Sequence, residues 1–313
     1  MSVKKMEMKA TRDAYGEVLA ELGAENKDIV VLDADLAKST KTVDFAKKFP
    51  DRFFDVGIAE ANMIGMAAGL ATAGKIPFAS TFALFGTLRV GDQIRNSICY
   101  PNLNVKIAVT HSGLTLGEDG ASHQAVEDVA LMRAIPNMTV IVPADAVETK
   151  KVIRTAAETY GPMYIRMGRP KVPVLFDDSY QFQIGKGVQI KDGSDVTIIA
   201  MGVMAHIALE AAEDLAKEGI SARVINMSTI KPIDQEIIIR AAQETRGIVT
   251  AEEANIYGGL GGAVAEVLAE NYPAPLRRVG VMDTFGESGT PDALLQKYGL
   301  TKENIMEKAK TLL

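Results

Sequence analysis

The stretch FFDVGIAEANMIGMAAGLATAGKIPFAS (53–80) decides the fold. An apolar run ends near Val56, a segment built of Ala, Gly and Met follows, and a second apolar run opens at Ile76. Small residues let a helix lie close on a sheet, and a strand–helix–strand unit pairs its strands in parallel through a right-handed crossover. Working outward, IVVLDAD (29–35), RFFDV (52–56), VKIAV (105–109), MTVIV (138–142) and PMYIR (162–166) repeat the pattern. It pauses at MGRPKVPVLFDDSYQFQIGKG (167–187), where proline, glycine and acidic residues break both periodicities. It resumes with DVTIIA (195–200), ARVIN (222–226), GIVTAEE (247–253) and LRRVGV (276–281). The predicted class is α/β, with two domains at 1–180 and 187–313, each a mostly parallel sheet flanked by helices. No short-period repeat marks a solenoid.

A chain of 313 residues has room for two cores. Its 47% hydrophobic and 24% charged residues are those of a globular protein. A net charge of −6 argues against a nucleic-acid partner, which calls for a basic face. No Lys/Arg cluster suggests a membrane-surface helix, and no apolar run is long enough to span a bilayer. The opening MSVKKMEMKATRDAYG has no apolar core of a signal peptide. With Cys99 as the single cysteine, no disulfide forms within the chain, and a cytoplasmic location is expected. Cys99, in RNSICYPN, reads as core filler.

Three segments are more polar than packing requires. In VVLDADLAKST (30–40), acidic and hydroxyl residues follow an apolar strand, at the end where parallel sheets bind ligands. Taken alone, Asp35 and Ser39 read as turn and N-cap residues. In the second, Glu60 opens a helix of small apolar residues. A first-turn glutamate can simply complement the helix dipole, but in a buried helix it needs a specific partner, and a buried carboxyl can share a proton with a heterocycle nitrogen. The third, THSGLTLGEDGASHQAVED (110–128), holds two of the three histidines, His111 and His123, with Glu118 and Asp119 between them. A glycine-rich polar loop suits a polyhydroxylated substrate. The His111–His123 spacing matches no usual zinc pattern, so no metal site is predicted on the chain. His206, in MGVMAHIALEAA (201–212), reads as structural.

Taken in order, these segments resemble the pyrimidine-binding and C-terminal domains of transketolase over essentially the whole chain. ADLAKS (34–39) is similar to the family's ADL-x-x-S segment, FFDVGIAEANM (53–63) to its glutamate motif, and THSGLTLGEDGASHQAVED to its substrate loop. IPNMTVIVPADAVET (135–149) and EEANIYGGLGGAVAEVL (252–268) follow the family too. The resemblance implies thiamine diphosphate, with Glu60 bonding its aminopyrimidine ring and favouring the tautomer that deprotonates the thiazolium carbon. It implies cofactor contacts from Asp35, Leu36, Phe82 and Phe85, although the two phenylalanines alone read equally well as core. It gives sugar-hydroxyl binding and proton shuttling to His111, Asp119 and His123. Arg12, Ser39 and Arg166 become the phosphate-binding positions, where a guanidinium fork suits a sugar phosphate. Two departures stand out: Leu88 where the family carries tyrosine, and GEDGASHQ for the commoner GEDGPTHQ.

The family's GDG…Asn motif, which holds the diphosphate through Mg²⁺, does not occur here. The resemblance therefore implies a partner, an N-terminal transketolase subunit that brings the diphosphate and Mg²⁺ site. An α2β2 assembly with self-dimerisation is expected, acting on sugar phosphates, for instance in the pentose phosphate pathway. The alternatives are a 1-deoxyxylulose-5-phosphate synthase-like subunit, a 2-oxoacid dehydrogenase beta-like subunit and a non-catalytic scaffold. His111 and the GEDG loop favour transketolase over the first two, and a scaffold needs none of these side chains.

Overall fold

The computed structural model describes residues 7–313. In chain order, the strands are β1 (Met8–Ala10), β2 (Ile29–Asp33), β3 (Phe53–Asp55), β4 (Ile76–Ser80), β5 (Lys106–Val109), β6 (Thr139–Ile141), β7 (Met163–Arg166) and β8 (Lys171–Pro173). Then follow β9 (Val188–Lys191), β10 (Val196–Ala200), β11 (Ala222–Asn226), β12 (Thr229–Lys231), β13 (Ile248–Asn255) and β14 (Leu276–Val281). The fold is α/β with mostly parallel sheets. One sheet has the order β12-β6-β7-β5-β4-β2-β3, parallel except for β12. The other has the order β14-β13-β10-β11-β9, parallel except for β9. β1 and β8 form a small antiparallel ribbon.

Each run expected to be a strand contains one. The strands not foreseen (β1, β8, β9 and β12) are short and lie antiparallel to their neighbours. Segments such as KVP and TIK carry too few apolar residues to show a period. β12 also alters the expected division: a strand from the second half of the chain completes the first sheet.

Alternation along β2 sends Ile29 and Val31 to one face and Leu32 to the other. On the first face Tyr15 and Leu19 of helix Thr11–Glu25 meet Val152 and Ile153 of helix Ala146–Glu158. On the second lie Met63, Ile64 and Ala67 of helix Glu60–Thr72, in an apolar core that continues into the second half through Met227, Ile230 and Leu260. Asp145 caps helix Ala146–Glu158 by accepting from Glu148 N, and its other oxygen accepts from Leu175 N and Phe176 N of the linker. Because β7, β5, β4, β2 and β3 stand side by side and parallel, the loops after their carboxyl ends share one edge of the sheet. That edge carries the site.

Candidate active site

The turn after β2 is shaped by Asp33, not by the residues expected to cap it. Buried Asp33 accepts from Leu36 N at 2.7 Å and from the hydroxyls of Thr40 and Thr42 at 2.7 and 2.8 Å. Burial pushes its carboxyl up to about 6 despite these bonds. Asp35 adopts a left-handed φ of 61° and remains exposed. Helix Ala37–Thr40 has no side-chain cap.

Glu60 is the first residue of helix Glu60–Thr72 and is 3% exposed. Arg89 Nη1 donates to its Oε1 at 2.9 Å. The same guanidinium lies over the Phe85 ring, 4.2 Å from its centre. Phe85 stacks on Phe82 at 6.0 Å, and Phe82 stacks on the His111 ring at 3.9 Å. His123 meets Phe85 edge-on at 5.1 Å. Glu60, Arg89, Phe82, Phe85 and His123 line an open cleft of about 850 Å³ that also takes in Asp35, Leu36 and Ile58, with His111 behind Phe82 and outside the lining. The structure thus brings together Asp35, Leu36, Glu60, Phe82, Phe85 and His123 in one cleft. A carboxylate in a cleft walled by aromatic rings suits a flat, nitrogen-bearing ring. Arg89, unmarked by any motif above, is the residue that sequence reasoning missed here. Leu88 is 51% exposed and lies outside the cleft lining.

His111 sits beyond β5 with φ 57° and is buried. Its Nε2 is 3.0 Å from Arg12 Nη1, which can only donate, so Nε2 accepts and Nδ1–H donates to Thr110 Oγ1 at 2.8 Å. Burial, then the charges of Arg12, Arg169 and Lys41, lower its pKa to about 3, so the ring is neutral at ordinary pH. His123 uses Nδ1 toward Ser122 Oγ at 2.9 Å. Arg12 also donates to the Ser39 carbonyl at 3.1 Å, and the Ser39 side chain lines a second cleft that shares Asp35 and Leu36 with the first.

Arg166 requires correction. It ends β7 3% exposed, with Nε on Asp128 Oδ2 at 2.7 Å and Nη2 on the Ala125 and Glu253 carbonyls, both at 3.0 Å. A guanidinium so engaged is structural, not a ligand for substrate phosphate. Three residues on, after the chain turns at Gly168, Arg169 emerges near Arg12 and His111, donating to the Leu116 carbonyl at 2.5 Å and Glu118 Oε2 at 2.8 Å. The signal was the Gly-Arg-Pro at 168–170, a turn placing arginine on the ligand edge. Asp119 is exposed on the loop and lines neither cleft. His206 lies in helix Met204–Lys217, likewise outside both clefts. Buried Cys99 has its thiol pushed up to about 11 by desolvation. Among the described residues no three His, Cys, Asp or Glu side chains group as a metal site, and no helix is long and apolar enough to cross a membrane.

A buried glutamate, stacked aromatics and a histidine-bearing loop meet at the carboxyl edge of a parallel sheet, where α/β proteins bind ligands. The chain belongs to the transketolase family: residues 7–174 match the transketolase pyrimidine binding domain and residues 185–305 the transketolase C-terminal domain. A provisionally named transketolase C-terminal section from Methanocaldococcus jannaschii is 54% identical over 96% of this chain and 95% of that protein. A 6-deoxy-6-sulfo-D-fructose transketolase subunit from Clostridium sp. (strain MSTE9) is 45% identical over 97% and 95%. Mouse transketolase is 41% identical, and there the chain spans only 49% of the longer protein. A solved split-gene transketolase, described as an inactive β4 tetramer, superposes with a TM-score of 0.92 at 59% identity, covering 97% of this chain and 98% of that one.

Proposed function

We propose that this chain is the C-terminal subunit of a split, thiamine-diphosphate-dependent transketolase that moves a two-carbon ketol unit between sugar phosphates and needs an N-terminal-half partner. The observation that carries this reading is the cleft where Glu60 faces Phe82, Phe85 and His123. Its carboxylate and aromatic walls fit an aminopyrimidine ring. When bound, the cofactor supplies an acidic carbon and an electron sink for the two-carbon fragment. Glu60 holds the proton at the ring nitrogen; Phe82 and Phe85 fix the ring plane; Asp35 and Leu36 close its side.

His123, with Nδ1 engaged by Ser122, offers Nε2 to a sugar hydroxyl. Neutral His111, its ring nitrogens bonded to Arg12 and Thr110, holds Arg12 in place rather than meeting the sugar directly, and Asp119, outside both clefts, has no hydroxyl contact in this reading. Arg12 and Arg169, with Ser39, hold the sugar phosphate, Arg169 taking the part first given to Arg166. Mg²⁺ and the diphosphate fall to the partner, since Mg²⁺ prefers oxygen ligands shared with phosphates. The matched regions support domains at 1–180 and 187–313, with β12 crossing between them. The inactive β4 tetramer of the similar solved chain supports both self-association and dependence on a partner. An α2β2 assembly in the cytoplasm is the form we expect.

The test is reconstitution. The purified chain should show no ketol transfer, and mixing it with an N-terminal-half chain carrying GDG…Asn should start turnover with thiamine diphosphate and Mg²⁺. Turnover by the chain alone, or none in the mixture, contradicts the reading.

A further inference from the structure

The loop from Thr110 to Glu127 runs through backbone that does not hold itself. His111 has φ 57°, and Gly113, Gly117 and Gly120 have φ of 71°, 95° and 76°. A left-handed histidine persists only where its surroundings over-determine it. Many of those surroundings come from the second half of the chain. Glu253, on β13 and 4% exposed, accepts from Thr115 N through Oε1 at 2.6 Å. Its carboxyl lies flat against Gly113, so that a methyl group at position 113 would overlap it. The Glu253 carbonyl and the Ala125 carbonyl share Arg166 Nη2, which ties the far end of the loop to the same strand. Asn255 N donates to the Val126 carbonyl at 2.8 Å. Farther out, Ser288 Oγ donates to the Glu118 carbonyl at 2.6 Å, and Gln124 Nε2 to the Glu287 carbonyl at 3.0 Å.

We infer that Glu253 is a positioning residue, through which the C-terminal domain holds the loop carrying His111 and His123 in its working shape. A buried carboxylate is costly unless fully engaged, so a glutamate kept here needs bonds that a hydrophobic residue could not make. Gly113 bears directly on Glu253 and Thr115 is bonded to it; His111 is two residues from the first. A shift of the anchor therefore reaches the imidazole through a very short length of chain. Phe82 touches the loop through its stack on His111, whereas Glu60 opens helix Glu60–Thr72 and bonds Arg89, so the carboxylate proposed to hold the cofactor ring is fixed by elements outside the loop. The catalytic consequence rests on the transketolase reading; the anchoring itself does not.

Glu253→Ala removes the acceptor, and Glu253→Gln keeps an oxygen for Thr115 N. Hydrogen–deuterium exchange on the full chain should show protection at residues 112–118 falling about tenfold in Glu253→Ala and nearly retained in Glu253→Gln, consistent with one lost buried hydrogen bond. In the complex reconstituted with the N-terminal half, Glu253→Ala should raise KM for a phosphorylated ketose about tenfold while changing the Kd for thiamine diphosphate much less, and Glu253→Gln should restore most of KM. Unchanged exchange at 112–118 overturns the anchor, as does exchange raised equally across both domains. A raised exchange with an unaltered KM overturns the positioning role. If the wild-type complex transfers no ketol unit, the transketolase reading fails alone, and the exchange comparison still decides the anchor.

Discussion

Arg166 ends β7 with its guanidinium turned into the interior, where Asp128 and two carbonyls take its donors. Arg169, past the turn, is 37% exposed beside Arg12 and His111. Sequence alone could not choose between two arginines three residues apart, because the choice depends on where the strand stops. Arg166→Ala should lower unfolding free energy by about 3–5 kcal/mol in chemical denaturation, since it strands a buried Asp128. Arg169→Ala should leave stability unchanged and raise KM for phosphorylated sugars by the equivalent of about 1.5–3 kcal/mol, with unphosphorylated sugars unaffected. Glu60 was legible, because a lone acid in a small apolar helix is conspicuous; its partner Arg89 sits in an unremarkable turn. Glu60→Gln should all but abolish turnover in the reconstituted complex while the melting temperature moves little. Slowed proton exchange at the thiazolium carbon would check it, and wild-type exchange would remove Glu60 from catalysis. For His111 the folded pKa, about 3, lies below the unfolded value of 6.5. Its contribution is present above 6.5 and lost as pH falls toward 3. Acid unfolding should therefore be less steep over that window in His111→Gln than in wild type.

At the scale of elements, what could be read was what packs on two faces. Central strands such as IVVLD and VTIIA are wholly buried and announce themselves by composition. The helix Glu60–Thr72 shows itself by its small residues. The antiparallel edge strands give no such signal: β9 is only partly buried, and β12 alternates too briefly to set a period. The linker was legible as a break, but not as a pinned segment, because the pin is the side chain of Asp145, thirty residues upstream of Leu175 in a different element. Asp145→Ala removes one N-cap bond and orphans two linker amides. The expected loss is about 2–4 kcal/mol, read from the denaturation midpoint. Amide exchange should rise locally around residues 174–180, and an unchanged exchange pattern there would contradict the pin.

For the whole molecule, the two predicted domains read as separable because the linker interrupts both periodicities, yet three features bind them. β12, from the second half, pairs with β6 on the first sheet. One apolar core runs from Val140 and Val142 of the first half through Ile225, Met227 and Leu260 of the second. The buried Arg166–Asp128 pair bonds the Glu253 carbonyl across the same seam. Breaking the seam would expose an unpaired β6 edge, leave Arg166 short of an acceptor and open much of that core to water, costs that far exceed the stability of a typical domain half. The full chain should therefore unfold in one transition. Because it has no tryptophan, near-ultraviolet circular dichroism of the tyrosines and far-ultraviolet signals should coincide, and calorimetry should show a single peak. A fragment of residues 1–186 should fail to give a soluble, cooperatively folding species, because it lacks β12 and the side chains, such as Met227, Ile230 and Leu260, that complete the shared apolar core. Two separated transitions in the full chain, together with a stable fragment, would mean that the seam is a contact between independently folding domains.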